Sequence, residues 1–191
     1  MFNFKGNNLV KHFIMKKLLP LYFFMAFFFS VQGFAQEEES SGHHQTLGVS
    51  ISHVNIFNGV DNSENKLISL PAWGIDYNYW FNEKWGLGLH TDITVDKFTV
   101  DENLGDDAPL ERSFPIAPAV MGMRKFGNHT IMFGLGGEFE KNESLFLNRL
   151  GYEYGIEVSE KWEVGAAINY DFRWNAYDSY TISIGVSRVL N

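Results

Sequence analysis

From residue 46 onward the chain keeps alternating bulky apolar side chains with small or polar ones at a period of two, which restricts it to strands with one apolar face. In 85–95 the bulky positions are Trp85, Leu87, Leu89, Thr91, Ile93 and Val95, and Gly86, Gly88, His90, Asp92 and Thr94 lie opposite. Residues 73–81 behave alike, with Trp73, Ile75, Tyr77, Tyr79 and Phe81 set against Gly74, Asp76, Asn78 and Trp80. The pattern predicts strands near 46–57, 68–81, 85–98, 111–125, 129–140, 145–158, 161–172 and 178–190. Eight antiparallel strands suit a closed barrel. The fourth keeps no clean apolar face, with Pro115 and Pro118 inside it.

The residues ahead of this region carry different information. Residues 15–36, "MKKLLPLYFFMAFFFSVQGFAQ", have two lysines, an apolar run and small residues Gly33 and Ala35, the form of a secretory signal cleaved near 35/36. Residues 1–35 are therefore expected to be an upstream extension plus signal peptide, 36–45 a flexible acidic tether, and 46–191 the barrel. Loss of Lys5, Lys11, Lys16 and Lys17 takes the net charge of −8 to −12, which argues against nucleic acid as a partner. There is no cysteine, so neither a disulfide framework nor a lipid-modified cysteine is available.

The predicted connections differ in length from one end to the other. "NEK", "GNH" and "SEK" are tight turns, whereas "GVDNSENKL" and "TVDENLGDDAPLE" are long and acidic. In an up-and-down meander the tight turns fall on the side of the termini, and transmembrane barrels keep short turns in the periplasm. With the leader, the strand count and the aromatic residues flanking the turns, this pattern resembles the small eight-stranded outer-membrane barrels of the OmpX type and the OmpA transmembrane domain. The resemblance spans nearly the whole mature chain and rests on architecture. It implies an all-β, eight-stranded antiparallel up-and-down transmembrane β-barrel in the outer membrane of a Gram-negative envelope. The implied partners are outer-membrane lipid, lipopolysaccharide and the barrel-assembly machinery, with a monomeric barrel. The chain departs from the pattern at its end: "SRVLN" lacks the usual terminal aromatic.

A soluble lipocalin-like carrier would have the same strands with the two faces exchanged. Three features favour the membrane. The non-bulky face is rich in glycine (Gly86, Gly88, Gly134, Gly136, Gly151, Gly155, Gly165), which suits a narrow interior better than a soluble exterior. That face also carries Asp76, His90, Asp92, Glu138, Arg149, Glu153, Glu157, Glu163 and Asp171, the candidate polar network of the lumen. Finally, aromatics gather at strand ends: Tyr79, Phe81, Trp85, Phe126 and Trp162 by the tight turns, and Trp73, Phe98 and Phe172 among those near the loops. Trp73, Tyr79, Phe81, Trp85, Phe126, Trp162 and Phe172 are the expected membrane-interface aromatics.

Carboxylates outnumber bases on the inner face, so water, a bound cation or raised carboxylate pKa values should make up the difference. Arg149 is expected to pair with Glu138 across the 141–144 loop, and Arg112, Arg124 or Lys125 to join if the fourth strand turns them inward. No cofactor and no metal site are expected, because His43, His44 and His53 share no specified geometry. Lipid A deacylases and palmitoyltransferases share the barrel architecture, but "SISH" offers Ser50, Ser52 and His53 rather than a His-x-Ser pair, and neighbours on a strand point oppositely. His90 and Asp92 share a face without an evident serine. Asp101, Glu102, Asp106 and Asp107 crowd the longest loop and read as a solvated acidic segment. The reading is thus a non-enzymatic envelope protein with a structural or surface-interaction role. A narrow porin-like, cation-preferring pore is the alternative, and a lipid A-modifying enzyme or soluble carrier comes third.

Overall fold

The computed structural model describes residues 42–61, 64–100, 109–141 and 143–190. The expected leader and residues 36–41 of the tether lie outside the described residues, as do Asp101, Glu102, Asp106 and Asp107. Among the described residues ten strands form one sheet: β1 (His44–Asp61), β2 (Glu64–Trp80), β3 (Trp85–Thr94), β4 (Lys97–Val100), β5 (Leu110–Ser113), β6 (Ile116–Phe126), β7 (His129–Phe139), β8 (Ser144–Ser159), β9 (Trp162–Arg173) and β10 (Asp178–Val189). Eight of them run in the antiparallel order β10-β9-β8-β7-β6-β3-β2-β1, and β10 pairs back onto β1 to close the barrel. Closure leaves no sheet edge unpaired among those eight strands.

The other two strands continue β3 and β6. Between the β3–β6 and β4–β5 pairings the register slips by one residue, at Phe114, whose φ is +51°, and Pro115. A proline without an N–H and a residue in the left-handed region interrupt the ladder, so the strand bends. A second irregularity lies between Ile56 and Gly59 of β1, where Asn58 has φ +57°. The bent β4–β5 hairpin meets β1 at Gly59↔Val100. Sequence alternation reads residues 99–110 as loop; the hairpin shows instead that strand pairing extends past the barrel wall.

Outward positions are those the period predicts. Leu87 and Leu89 on β3, Ile131, Phe133 and Leu135 on β7, and Ile182 and Ile184 on β10 all point away from the lumen and are exposed, Ile184 by 61%. A continuous apolar surface of this extent is the lipid-facing band of a membrane barrel, since in water it would drive aggregation. The fourth stave also acquires its phase: Ala117, Ala119, Met121, Met123 and Lys125 face inward, and Ile116, Val120, Arg124 and Phe126 outward. It looked featureless because its inward residues are apolar too.

Glycine on the inner face is explained by its neighbours. A Cβ on Gly86 would come within 2.9 Å of both Met123 and Trp80, and one on Gly155 would lie 2.2 Å from Glu163 Oε1. Large side chains from adjacent strands reach over these glycines to fill a narrow barrel.

Candidate functional site in the lumen

The lumen is layered from the long-hairpin end to the short-turn end. At the long-hairpin end Val54, Ile56, Ala72, Phe98, Val100, Leu145, Ala176 and Tyr177 form one buried apolar cluster. Its members come from β1, β2, β4, β8 and the 174–177 turn, so they span the mouth from wall to wall. Phe98, expected in the outer aromatic belt, is buried here instead and packs edge-on against Tyr177 at 5.7 Å. The bend after β3 is what carries it inside.

Beneath this cap sits a cage of ions. Glu138 of β7 accepts hydrogen bonds from Arg112 Nε at 2.8 Å, from Arg173 Nε, and from the Tyr177 hydroxyl at 2.7 and 2.8 Å to its two oxygens. Arg173 also donates to Ser179 Oγ at 2.8 Å and reaches Asp171 at 3.4 Å. Arg149 of β8 donates through Nε and Nη2 to the two oxygens of Asp171, at 2.6 and 2.7 Å. On its other side Arg149 Nη2 forms an ion pair with Asp92 at 2.7 Å. Arg112, Glu138, Arg149 and Tyr177 are each at most 1% exposed. Burial holds the Tyr177 phenol well above its ordinary pKa, so it serves Glu138 as a donor.

The expected Arg149–Glu138 pair is therefore corrected. In the β7–β8 ladder Glu138 lies opposite Leu145 and Arg149 opposite Gly134, which places the two charges four residues apart along the barrel wall. Arg149 instead faces its register partner Asp171 on β9. Glu138 finds Arg112 and Arg173, residues at or beyond the ends of the predicted strands. Arg173 continues the inward series Asn169, Asp171 by one more step, a signal readable in the alternation. Tyr177 lies in a turn, where no period exists to find it.

The remaining predicted lumen residues occupy lower layers. His90 hydrogen-bonds Asn78 Oδ1 through Nε2 at 2.8 Å, and its Nδ1 lies 3.6 Å from Asp76. Lys125 donates to Glu163 at 2.9 Å, and Glu153 lines the same space. Glu157 is exposed at the short-turn rim, outside any buried network. Arg124 faces outward and stacks on Trp85 and Phe126, at 4.3 and 4.9 Å from their ring centres.

All seven expected interface aromatics point outward. Trp73, Phe81, Phe126, Trp162 and Phe172 are exposed, and Tyr79 and Trp85 half-buried. His43 and His44 stack on Tyr79 and Trp80, and no group of three His, Asp or Glu suited to a metal occurs among the described residues. Ser52 faces the lumen while His53 faces out, where its Nδ1 lies 3.4 Å from Ser69 Oγ, long for a hydroxyl hydrogen bond.

Solved structures share this geometry. Ail, the attachment invasion locus protein of Yersinia pestis, solved in complex with the heparin analogue sucrose octasulfate, aligns over 78% of this chain and 99% of its own. The TM-score is 0.51 and the identity 11%. The N-terminal β-barrel domain of Pseudomonas aeruginosa OprF aligns over 78% of this chain and 100% of its own, with TM-score 0.51 and identity 9%. This chain has the fold of the small eight-stranded outer-membrane β-barrels. No protein-family model and no curated sequence matches it. The lipid-facing band is that of an outer-membrane barrel fold, and the short turns, at 82–84, 127–128 and 160–161, lie together at one end of it.

Proposed function

We propose that this protein is a non-enzymatic envelope protein whose barrel is a closed anchor, stabilising the outer membrane and presenting its long hairpins to the surroundings. The observation that carries the reading is the stacked pair of barriers in the lumen. An apolar layer spanning the extracellular mouth lies directly above a cage of interlocked arginines and carboxylates. A permeating ion would have to cross the first without water and break the second, and both are costly.

The hairpins then supply the contacts. The long loop carries Asp101, Glu102, Asp106 and Asp107, so a sulfated ligand of the kind bound by Ail would meet like charge. Lipopolysaccharide phosphates bridged by divalent cations fit such a loop better. The apolar band takes outer-membrane lipid, the barrel-assembly machinery inserts the chain, and the closed barrel works as a monomer.

Planar-bilayer recording tests the closed anchor. The folded protein should give no stepwise conductance. A steady cation-selective current that changes when Asp92 or Glu153 is made neutral would establish the pore instead.

A further inference from the structure

Below the ion cage the lumen widens into a cavity of about 330 Å³ lined by residues of the periplasmic half. A space of this size holds a small organic molecule or on the order of ten waters. Its charge does not balance. Asp76, Glu153, Glu157, Glu160 and Glu163 line it; Arg149 at its deep end spends Nε and Nη2 on Asp92 and Asp171, His90 lies beside Asp76, and Lys125 faces the glutamates. The Glu163 and Glu153 carboxylates lie over the register partners Gly155 and Gly165, with the Lys125 ammonium on Glu163 at 2.9 Å. Such a pair of like groups is stabilised by an added cation.

A second observation points to an occupant. Asn169 borders the cavity and is 9% exposed, and its carboxamide oxygen has no hydrogen-bond partner. That oxygen lies over Gly151 on the lumen side, 2.4 Å from the place a Cβ would take. Buried acceptors are nearly always paired, and in acidic surroundings an ammonium N–H is the fitting donor. The carboxylates are strung along the cavity rather than gathered, and no three-ligand metal group exists among the described residues. Trp80, Met123 and Met132 supply an apolar wall between the charges, suited to methylene groups.

We propose that this periplasmic vestibule binds a small organic cation of the linear polyamine class, with ammonium groups spaced along a hydrocarbon chain. Spermidine is the probe, titrated calorimetrically into the folded protein in detergent micelles. One saturable site per barrel is expected. Glu153→Gln should weaken binding by about tenfold or more, as for a desolvated charge pair. Glu157→Gln, at an exposed rim position that does not bear on folding, should weaken it by about threefold, as for a screened one. Glu111→Gln, on the β5 side of the extracellular hairpin, should leave it unchanged. Heat-dependent gel mobility confirms that each variant is folded. Absence of saturable binding, equal weakening by Glu111→Gln, or displacement of spermidine by equimolar magnesium would each overturn the proposal.

Discussion

The two halves of the lumen are built from the same residue types and do opposite things with them. In the half at the long hairpins Arg112, Arg149 and Arg173 meet Glu138, Asp171 and Asp92, so that each arginine has a carboxylate. In the half at the short turns Asp76, Glu153, Glu157 and Glu163 line an open space, where Lys125 pairs with Glu163. Charge can be buried where opposite partners converge from several strands, and must stay wet where they do not. The ion cage marks the boundary between a packed half and an open one.

Substitutions can break this contrast, and the largest effect belongs to the hub of the cage. Glu138→Leu strips the carboxylate from Arg112, Arg173 and the Tyr177 hydroxyl, and should destabilise the folded barrel by about 3–5 kcal/mol or more. Urea unfolding in phospholipid vesicles measures it, and a loss under about 1 kcal/mol, the size of an exposed ion pair, would show that the cage is hydrated. Next comes Arg149→Leu, expected to cost about 3 kcal/mol by the same reasoning. Adding Asp171→Asn should recover part of that loss, with a coupling of at least about 1 kcal/mol. Coupling with Glu138→Gln should be smaller, because Arg149 and Glu138 touch only through Asp171 and Arg173. A double-mutant cycle that ranks them the other way would restore the pairing expected from the alternation. The smallest effect belongs to the cup: Glu163→Gln should change stability by less than about 1 kcal/mol, since the Lys125 and Glu163 side chains remain 24% and 21% exposed.

Much of this could be read from the residues, and the boundary of what could not is informative. Alternation groups Asp76, His90, Asp92, Glu138, Arg149 and Asp171 with the glycines of their strands, because a strand's period leaves one bit of choice and glycine against leucine decides it. It stopped short at Arg173 and Phe98. Both lie at strand ends, where a bulge or a single further step changes which way a side chain points. The β6 stave shows the same limit from another side: Met121 and Met123 are as apolar as the lipid face, so hydropathy carries no phase there.

What the sequence by itself determined is local: the strands, their two faces, the side on which the tight turns fall, and the acidity of the interior. Who pairs with whom was decided only by the closed tertiary structure. Register is set by bulges and by the return of β10 onto β1, and closure brings β3, β8 and β9 together around Arg149 although 57 and 22 residues separate it from Asp92 and Asp171. Period-two alternation is a property of one strand at a time. A salt bridge across a lumen is a property of the whole circle.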